Sequence, residues 1–283
     1  MSYRYEEVRF LDIKLNVTGC FKEVELLEKE PMNRDTIRRE FGQNAARYLT
    51  SQVHAKGASL PRLLELVQPQ PTWEVLDIAS AAGHTAFTFA PHVAHVWSTD
   101  ITPEMLEMAR QEADRRGLTN ITVESADAAD LPFPDERFDL VTCRIAPHHF
   151  GEIESFLSES ARVLRPGGLL AVVDNVVPDG PAGDYVNAFE KFRDPSHWRC
   201  LTVAEWEAGF EAAGLALLHS ETLGKELHFE SWAGRHDETM VAYLRSMLTE
   251  VSGEAAEFLQ PQVTPEKTTF RLSEGIFIGR KGG

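Results

Sequence analysis

Between Val75 and Asp100 an apolar run closes on Asp77, and a turn of small residues passes through Ala79, Ala81 and Gly83. An apolar segment follows, and then a second β-rich run, Val96-Trp-Ser-Thr-Asp, closes on Asp100. Strand, tight turn, helix and strand in that order make a βαβ unit, whose two strands are parallel and whose ligand site lies beyond their carboxyl ends. The pattern commits the chain to an α/β sheet with helices on both faces. Two carboxylates therefore flank one small-residue loop.

A dinucleotide would set its pyrophosphate on that loop and a ribose hydroxyl on an acidic residue further along. Asp100, 23 residues after Asp77, suits the ribose role. Asp77 does not suit the phosphate role, because a carboxylate ending the first strand repels phosphates through partly desolvated space. It attracts a cation, and S-adenosylmethionine carries an ammonium and a sulfonium beside its ribose and adenine. The small residues also sit at i, i+2 and i+4 and not in G-x-G-x-x-G, whose third position is here His84. Both points disfavour a nicotinamide-dependent oxidoreductase.

Four blocks in order, Val75–Thr85, Ser98–Ala109, Ser125–His149 and Leu164–Asp174, carry a resemblance to the class I S-adenosylmethionine-dependent methyltransferases. Within that family the chain resembles the ubiquinone/menaquinone C-methyltransferase-like (type 11) branch, from about Met32 to the C-terminus. The resemblance implies a Rossmann-like α/β fold: a seven-stranded, mostly parallel sheet with helices on both faces and an antiparallel last strand. It implies S-adenosylmethionine held by Asp77, Ala79, Ala81 and Gly83, by Asp100, Ile101 and Met105, and by Asp127 and Ala128 at the adenine. The family usually has glycine where this chain has Ala79 and Ala81. Alanine at positive φ costs about 1–2 kcal/mol; the expectation is that Ala79 is tolerated and that Ala81 carries the strain.

Residues 1–31 precede the family pattern and read as an extension of unknown role, with a strand around Val8–Val17 and a short acidic helix near Lys22–Glu30. Residues 32–283 form the methyltransferase domain. Ile37, Phe41, Ala45 and Tyr48 recur at helical spacing from Asp35 onward. In the resembled family this helix and the turn Val53–Gly57 cover the methionine end of the cofactor, which makes Tyr48 and His54 either cofactor contacts or structural residues. Further helices are expected at Ser59–Val67, after Thr102-Pro103-Glu104, where the Thr102 hydroxyl caps, at Gly151–Leu164, around Asp184–Phe192, at Val203–Ala213 behind a Thr202 cap, and at His228–Leu248. Strands are expected at Asn120–Glu124, Phe138–Cys143, Leu169–Asp174, Leu215–Leu223 and Thr268–Arg280, with Arg165–Gly168 as a turn. Insertions near 178–200 and 225–262 are expected to form a lid on the acceptor side.

Methyl transfer from a sulfonium is an in-line displacement, and the protein's part is to align the acceptor, exclude water and remove a proton where the acceptor is a hydroxyl or an activated carbon. Histidine is the natural base. The fourth strand delivers Arg144-Ile-Ala-Pro-His-His-Phe150 to the cofactor edge, so His148 or His149 is the candidate base or acceptor anchor, with His197 in reserve. Arg144 is a candidate to stabilise an enolate or carboxylate as well as to touch the cofactor. His197, Trp198 and Arg199 suit an anionic or aromatic acceptor, or serve only to pack their loop. No metal is expected, since adjacent histidines rarely point at one ion and no third ligand is evident.

Charge narrows the partners: 28 Lys and Arg against 44 Asp and Glu give a formal net charge of −16, which opposes a nucleic-acid substrate. No run approaches the roughly 18 apolar residues of a membrane span. Cys20, Cys143 and Cys200 are odd in number and far apart, which fits a reducing, cytoplasmic setting. The sequence thus points to an enzyme that methylates a small-molecule acceptor at oxygen or carbon. The alternative is a catalytically silent S-adenosylmethionine-binding regulator.

Overall fold

A computed structural model describes residues 34–50 and 57–283, with side chains in the first segment as far as Gly42. The chain separates into two units, Met1–Pro31 and Met32–Gly283. The strand and helix expected before Pro31, the Tyr48 side chain and His54 lie outside the described residues.

The strands β1 (Glu74–Ile78), β2 (His95–Asp100), β3 (Ile121–Ser125), β4 (Phe138–Arg144) and β5 (Leu164–Val176) run parallel, and β8 (Thr268–Lys281) is antiparallel to both β5 and β6 (Leu215–His228). Their order is β3-β2-β1-β4-β5-β8-β6, and a two-residue β7 (Gln262–Val263) pairs with β8 off this path. Val75, Leu76, Leu140 and Val141 are all buried, as strands covered on both faces require. The order reverses between β1 and β4, and there the loops leaving the two strands part to open a crevice.

Helices α1 (Arg34–Thr50), α2 (Ser59–Val67), α3 (His84–Phe89), α4 (Pro103–Arg116) and α5 (Ile153–Val163) accompany these strands. The apolar stripe of α4, Met105, Leu106, Ala109 and Ala113, is buried, and Gly117 ends the helix at φ 68°. Thr102 stands at the N-cap of α4, but its hydroxyl does not cap; it turns to Asp100. The expected turn Arg165–Gly168 is a bulge inside β5, where Leu164 pairs with Phe138 and Leu169 with Leu140. Arg165 holds the bulge by donating to both oxygens of Asp139 at 2.9 and 2.8 Å.

The two insertions supply α6 (Gly180–Arg193) and α8 (Phe229–Ala233), α9 (Glu238–Glu250) and α10 (Gly253–Leu259), with α7 (Val203–Ala212) between them in sequence. Thr202 and Glu205 form a full capping box on α7. The single helix expected over His228–Leu248 is broken between α8 and α9, where the Asp237 side chain caps α9 by accepting from the Met240 N–H. The insertions share one apolar core, in which Phe189 of α6 stacks on Trp232 of α8 at 4.6 Å and Leu244, Leu259 and Phe270 close around them. Cys143 and Cys200 are buried free thiols, and no described helix is long and apolar enough to cross a membrane.

Candidate active site

Register places Asp77 beside Thr142 of β4. Thr142 Oγ1 donates to Asp77 Oδ1 at 2.7 Å, and the Ala86 N–H donates to Oδ2 at 3.1 Å. Burial raises this carboxyl to about 7, against Thr142, the Arg144 guanidinium and the Ala86 N–H, all of which favour the ion. Asp100 ends β2 and accepts the Ala81 N–H at 2.9 Å and the Thr102 N–H at 2.8 Å, while burial pushes its carboxyl up.

The loop between these carboxylates is strained at two residues. Ala79 (φ 51°) and Ala81 (φ 47°) are both left-handed, so the cost expected at Ala81 alone falls on Ala79 as well. The turn needs both: it brings the Ser80 N–H to the Thr99 carbonyl at 2.8 Å, the Gly83 N–H to the Ser80 carbonyl at 2.8 Å, and the Ala81 N–H to Asp100. Gly83 starts α3 at φ 88°, and a Cβ there would lie 2.5 Å from the Phe87 ring.

Two cavities open on this loop and share Ala79 and Ala81 as wall. The larger, about 540 Å³, is lined by Asp100, Ile101, Asp127 and Ala128 together with Phe41, His149 and other apolar side chains. The smaller, about 350 Å³, sets Asp77 and Arg144 beside Ser80, His84 and Thr85. Arg144 closes β4 and donates from Nε to Thr85 Oγ1 at 3.2 Å; burial lowers it, opposed by Glu274 and Asp77. Helix α1 covers the larger cavity. Arg34 pairs with Asp127 Oδ2 at 2.6 Å, Arg38 Nε donates to the Ile101 carbonyl at 3.3 Å, and the Phe41 ring stands edge-on to His149 with centroids 5.0 Å apart.

Past β4 the chain turns sharply at Ile145, whose φ of 52° is unusual for a β-branched side chain and is held by its N–H on the Val173 carbonyl at 2.7 Å. The turn carries Pro147–His149. His148 Nδ1 meets Asp174 Oδ1 of β5 at 2.6 Å; burial pulls His148 down, but the charge of Asp174 and this hydrogen bond outweigh it and raise the imidazole. His149, 4.2 Å away between ring centroids, is pushed down to about 3 by burial and by His148. His197 lies 5.5 Å behind His148 with Nε2 on Asn187 Oδ1 at 3.0 Å, and burial lowers it to about 2. No cluster of His, Cys, Asp and Glu able to hold a metal occurs among the described residues.

Over 196 residues the chain is 37% identical to YcgJ of Bacillus subtilis, described as an uncharacterized methyltransferase, and the match spans 69% of this chain and 78% of that one. This chain belongs to the class I methyltransferase family. The family's methyltransferase domain matches residues 76–172, from β1 into β5. The crystal structure of the Bacillus halodurans C-125 protein BH2331 superposes on this methyltransferase with a TM-score of 0.77 at 34% identity, over 80% of this chain and all of that one. A demethylmenaquinone methyltransferase of Thermus thermophilus is 36% identical over 151 residues, 51% of this chain and 67% of that protein.

Of the residues expected in the methyltransferase's site, Asp77, Ala79, Ala81, Asp100, Ile101, Asp127, Ala128, Arg144 and His149 line the two cavities. Gly83 stands at the N-cap of α3 and lines neither cavity. Met105 is fully buried on the inward face of α4 and lines neither cavity. His148 and His197 also line neither, standing one and two layers behind His149. Trp198 is 42% exposed, and Arg199 pairs outward with Glu205 at 2.5 Å, so neither faces the site: their N–H groups are held by the His148 carbonyl, which turns the side chains to the surface. Sequence reasoning missed Phe41, read as one of an ordinary core stripe, and missed the two carboxylates behind the histidines, Asp174 and Asp194. An Asp near the carboxyl end of β5, at the same sheet edge as Asp77, was the available signal.

Proposed function

We propose that this methyltransferase binds S-adenosylmethionine across the two joined cavities and methylates a small organic acceptor at oxygen or carbon, in the cytoplasm. The observation that carries the reading is the pairing of Asp77 with Arg144 at one end and of Asp100 with Asp127 at the other, on a shared floor of Ala79 and Ala81. Asp77 and Arg144 together match an amino-acid zwitterion, the carboxyl taking the ammonium and the guanidinium the carboxylate. Asp100 keeps lone pairs for ribose hydroxyls, while Asp127 and the Ala128 N–H offer an acceptor and a donor to adenine.

When bound, the cofactor supplies an electrophilic methyl group on a cationic sulfur. The chain's own work is to position and to shield. Phe41, Phe150 and the strap of α1 exclude water from the larger cavity. His149, on the wall of that cavity, receives the acceptor's proton or orients its donor group. The shared core of the two insertions supports the acceptor-side lid, and residues 1–31 are an extension of unknown role.

Calorimetry with S-adenosylmethionine and S-adenosylhomocysteine tests the first half of the reading. Release of S-adenosylhomocysteine across a panel of phenols, enols and carbon acids tests the second. Failure of both nucleosides to bind would overturn the proposal, and binding without turnover on any acceptor would favour the silent regulator.

A further inference from the structure

His149 is held by two buried arms that the chemistry above does not use. Its Nδ1 lies 3.0 Å from the Ser196 carbonyl oxygen and 3.2 Å from Ser196 Oγ. A carbonyl oxygen has no proton to give, so Nδ1 carries the hydrogen and Nε2 keeps its lone pair. Ser196 is itself fixed, its Oγ donating to Asp194 Oδ1 at 2.5 Å and its N–H donating to the same oxygen at 3.0 Å. On the other side stands His148, its Nδ1 on Asp174. Asp174 is 1% exposed, Ser196 6% and Asp194 8%, so neither arm is shared with solvent. No described residue is hydrogen-bonded to His149 Nε2, and the ring borders the larger cavity beside Phe41 and Phe150.

We propose that Ser196–Asp194 and His148–Asp174 are positioning pairs that fix His149 as a neutral imidazole with Nε2 accepting, and that the methyl acceptor is therefore an uncharged phenol or enol that donates its hydroxyl to Nε2. This rests on the reading that the cavity beside His149 is where the acceptor sits. A carboxylate acceptor has no hydrogen to offer Nε2. An ammonium acceptor would enter beside His148, which Asp174 holds toward its cationic form, and like charges at that distance disfavour it. Phe41 and Phe150 on the wall of the same cavity give a hydroxyarene or enol apolar surface to lie against.

The charges around the pair agree. His148 faces Asp174 from β5, Glu190 from α6 and Asp194 from the loop after α6. His149 faces His148, which lowers it together with burial and Arg193, against Asp194 and the Ser196 backbone. Beyond them His197 faces Lys191 and Asp194. Asp194 is held well below the usual carboxylate range, against burial, by Arg235, the Ser196 hydroxyl and Arg193, and so remains an anion that can anchor the arm.

Histidine-ring nuclear magnetic resonance on the full chain with S-adenosylhomocysteine bound reads the inference without any acceptor, the signals being assigned with His149→Gln and His148→Gln. The expected result is an Nδ1–H tautomer for His149 that does not titrate between about pH 5 and pH 9, and a midpoint for His148 above that of free histidine. In Asp174→Asn the His148 midpoint falls and that of His149 rises by about one pH unit; His148→Gln serves the same purpose if that variant does not fold. Calorimetry then compares p-cresol, a phenol that stays uncharged at neutral pH, with 4-methylanisole: the phenol binds about tenfold more tightly to the wild type, and the difference vanishes in His149→Phe. An Nε2–H tautomer, ordinary titration of His149, or equal binding of the two probes overturns the inference. If S-adenosylhomocysteine binds and these signatures are absent, the inference alone fails; if it does not bind, the cofactor reading fails first.

Discussion

On the cofactor side of the crevice the polar groups take their partners from strand register and nearby backbone: Asp77 from its register partner Thr142 and the Ala86 N–H, Asp100 from the Ala81 and Thr102 N–H groups. On the histidine side the partners come from 26 and 47 residues away, Asp174 for His148 and Ser196 for His149, the second on the loop that follows α6. The βαβ topology by itself creates the first wall. The second depends on where the insertion happens to fold back. One side can therefore vary its chemistry while the other keeps its cofactor.

Replacing His149 by Phe is the sharpest way to separate the two walls. Turnover on an established acceptor should fall on the order of 10²–10⁴-fold, as for loss of a positioned base, while cofactor affinity by calorimetry changes by less than about tenfold. A collapse of cofactor binding instead would show the two walls to be one. Asp77→Asn tests the other side: affinity for S-adenosylmethionine should drop on the order of 10²–10³-fold, because the cofactor's ammonium loses a buried partner.

The walls should also respond to pH with opposite signs. Asp77 is raised from 3.8 to about 7 in the folded protein, so the fold holds a proton that the unfolded chain releases between those values. Its contribution to stability falls as pH rises through that window, by up to about 4 kcal/mol. His149 is lowered from 6.5 to about 3, so the unfolded chain takes up a proton that the fold refuses, and stability falls as pH drops below 6.5. Urea denaturation across pH should show Asp77→Asn gaining over wild type above about pH 7. His149→Phe should lose less stability than wild type on acidification. Parallel curves for the two variants would break the distinction.

The smallest expected effect lies in the loop the two cavities share. Ala79→Gly and Ala81→Gly each remove a left-handed alanine and should stabilise the chain by about 0.5–1 kcal/mol, net of the extra freedom glycine brings to the unfolded state. Equal gains at both positions would bear out the strain seen at both.

The contrast also explains what was legible in the sequence. Asp77, Asp100, Asp127 and the alanine loop stand at fixed offsets from strand ends, where local pattern and position coincide. His148 and His149 were found as a pair, but nothing local distinguishes the one that faces the cavity. That depends on Ile145 taking a left-handed turn and on Ser196 arriving from 47 residues further on. Helix α1 shows the same limit: Phe41 lies in a stripe that any core helix would have, and only tertiary placement sets it against His149. The break after α8 and the bulge at Arg165 escaped because a capping Asp237 and the ion pair with Asp139 reshape stretches whose composition also suits a helix or a turn.

The stacking of Phe189 on Trp232 bears on how such an enzyme diversifies. Because one apolar core is closed by pieces that leave the sheet on either side of β6, neither can be exchanged without baring the other's aromatic face. A graft of either piece alone from a homologue should yield an insoluble chimera. A paired transplant of both, with β6 between them, should carry acceptor preference across as a single heritable cassette.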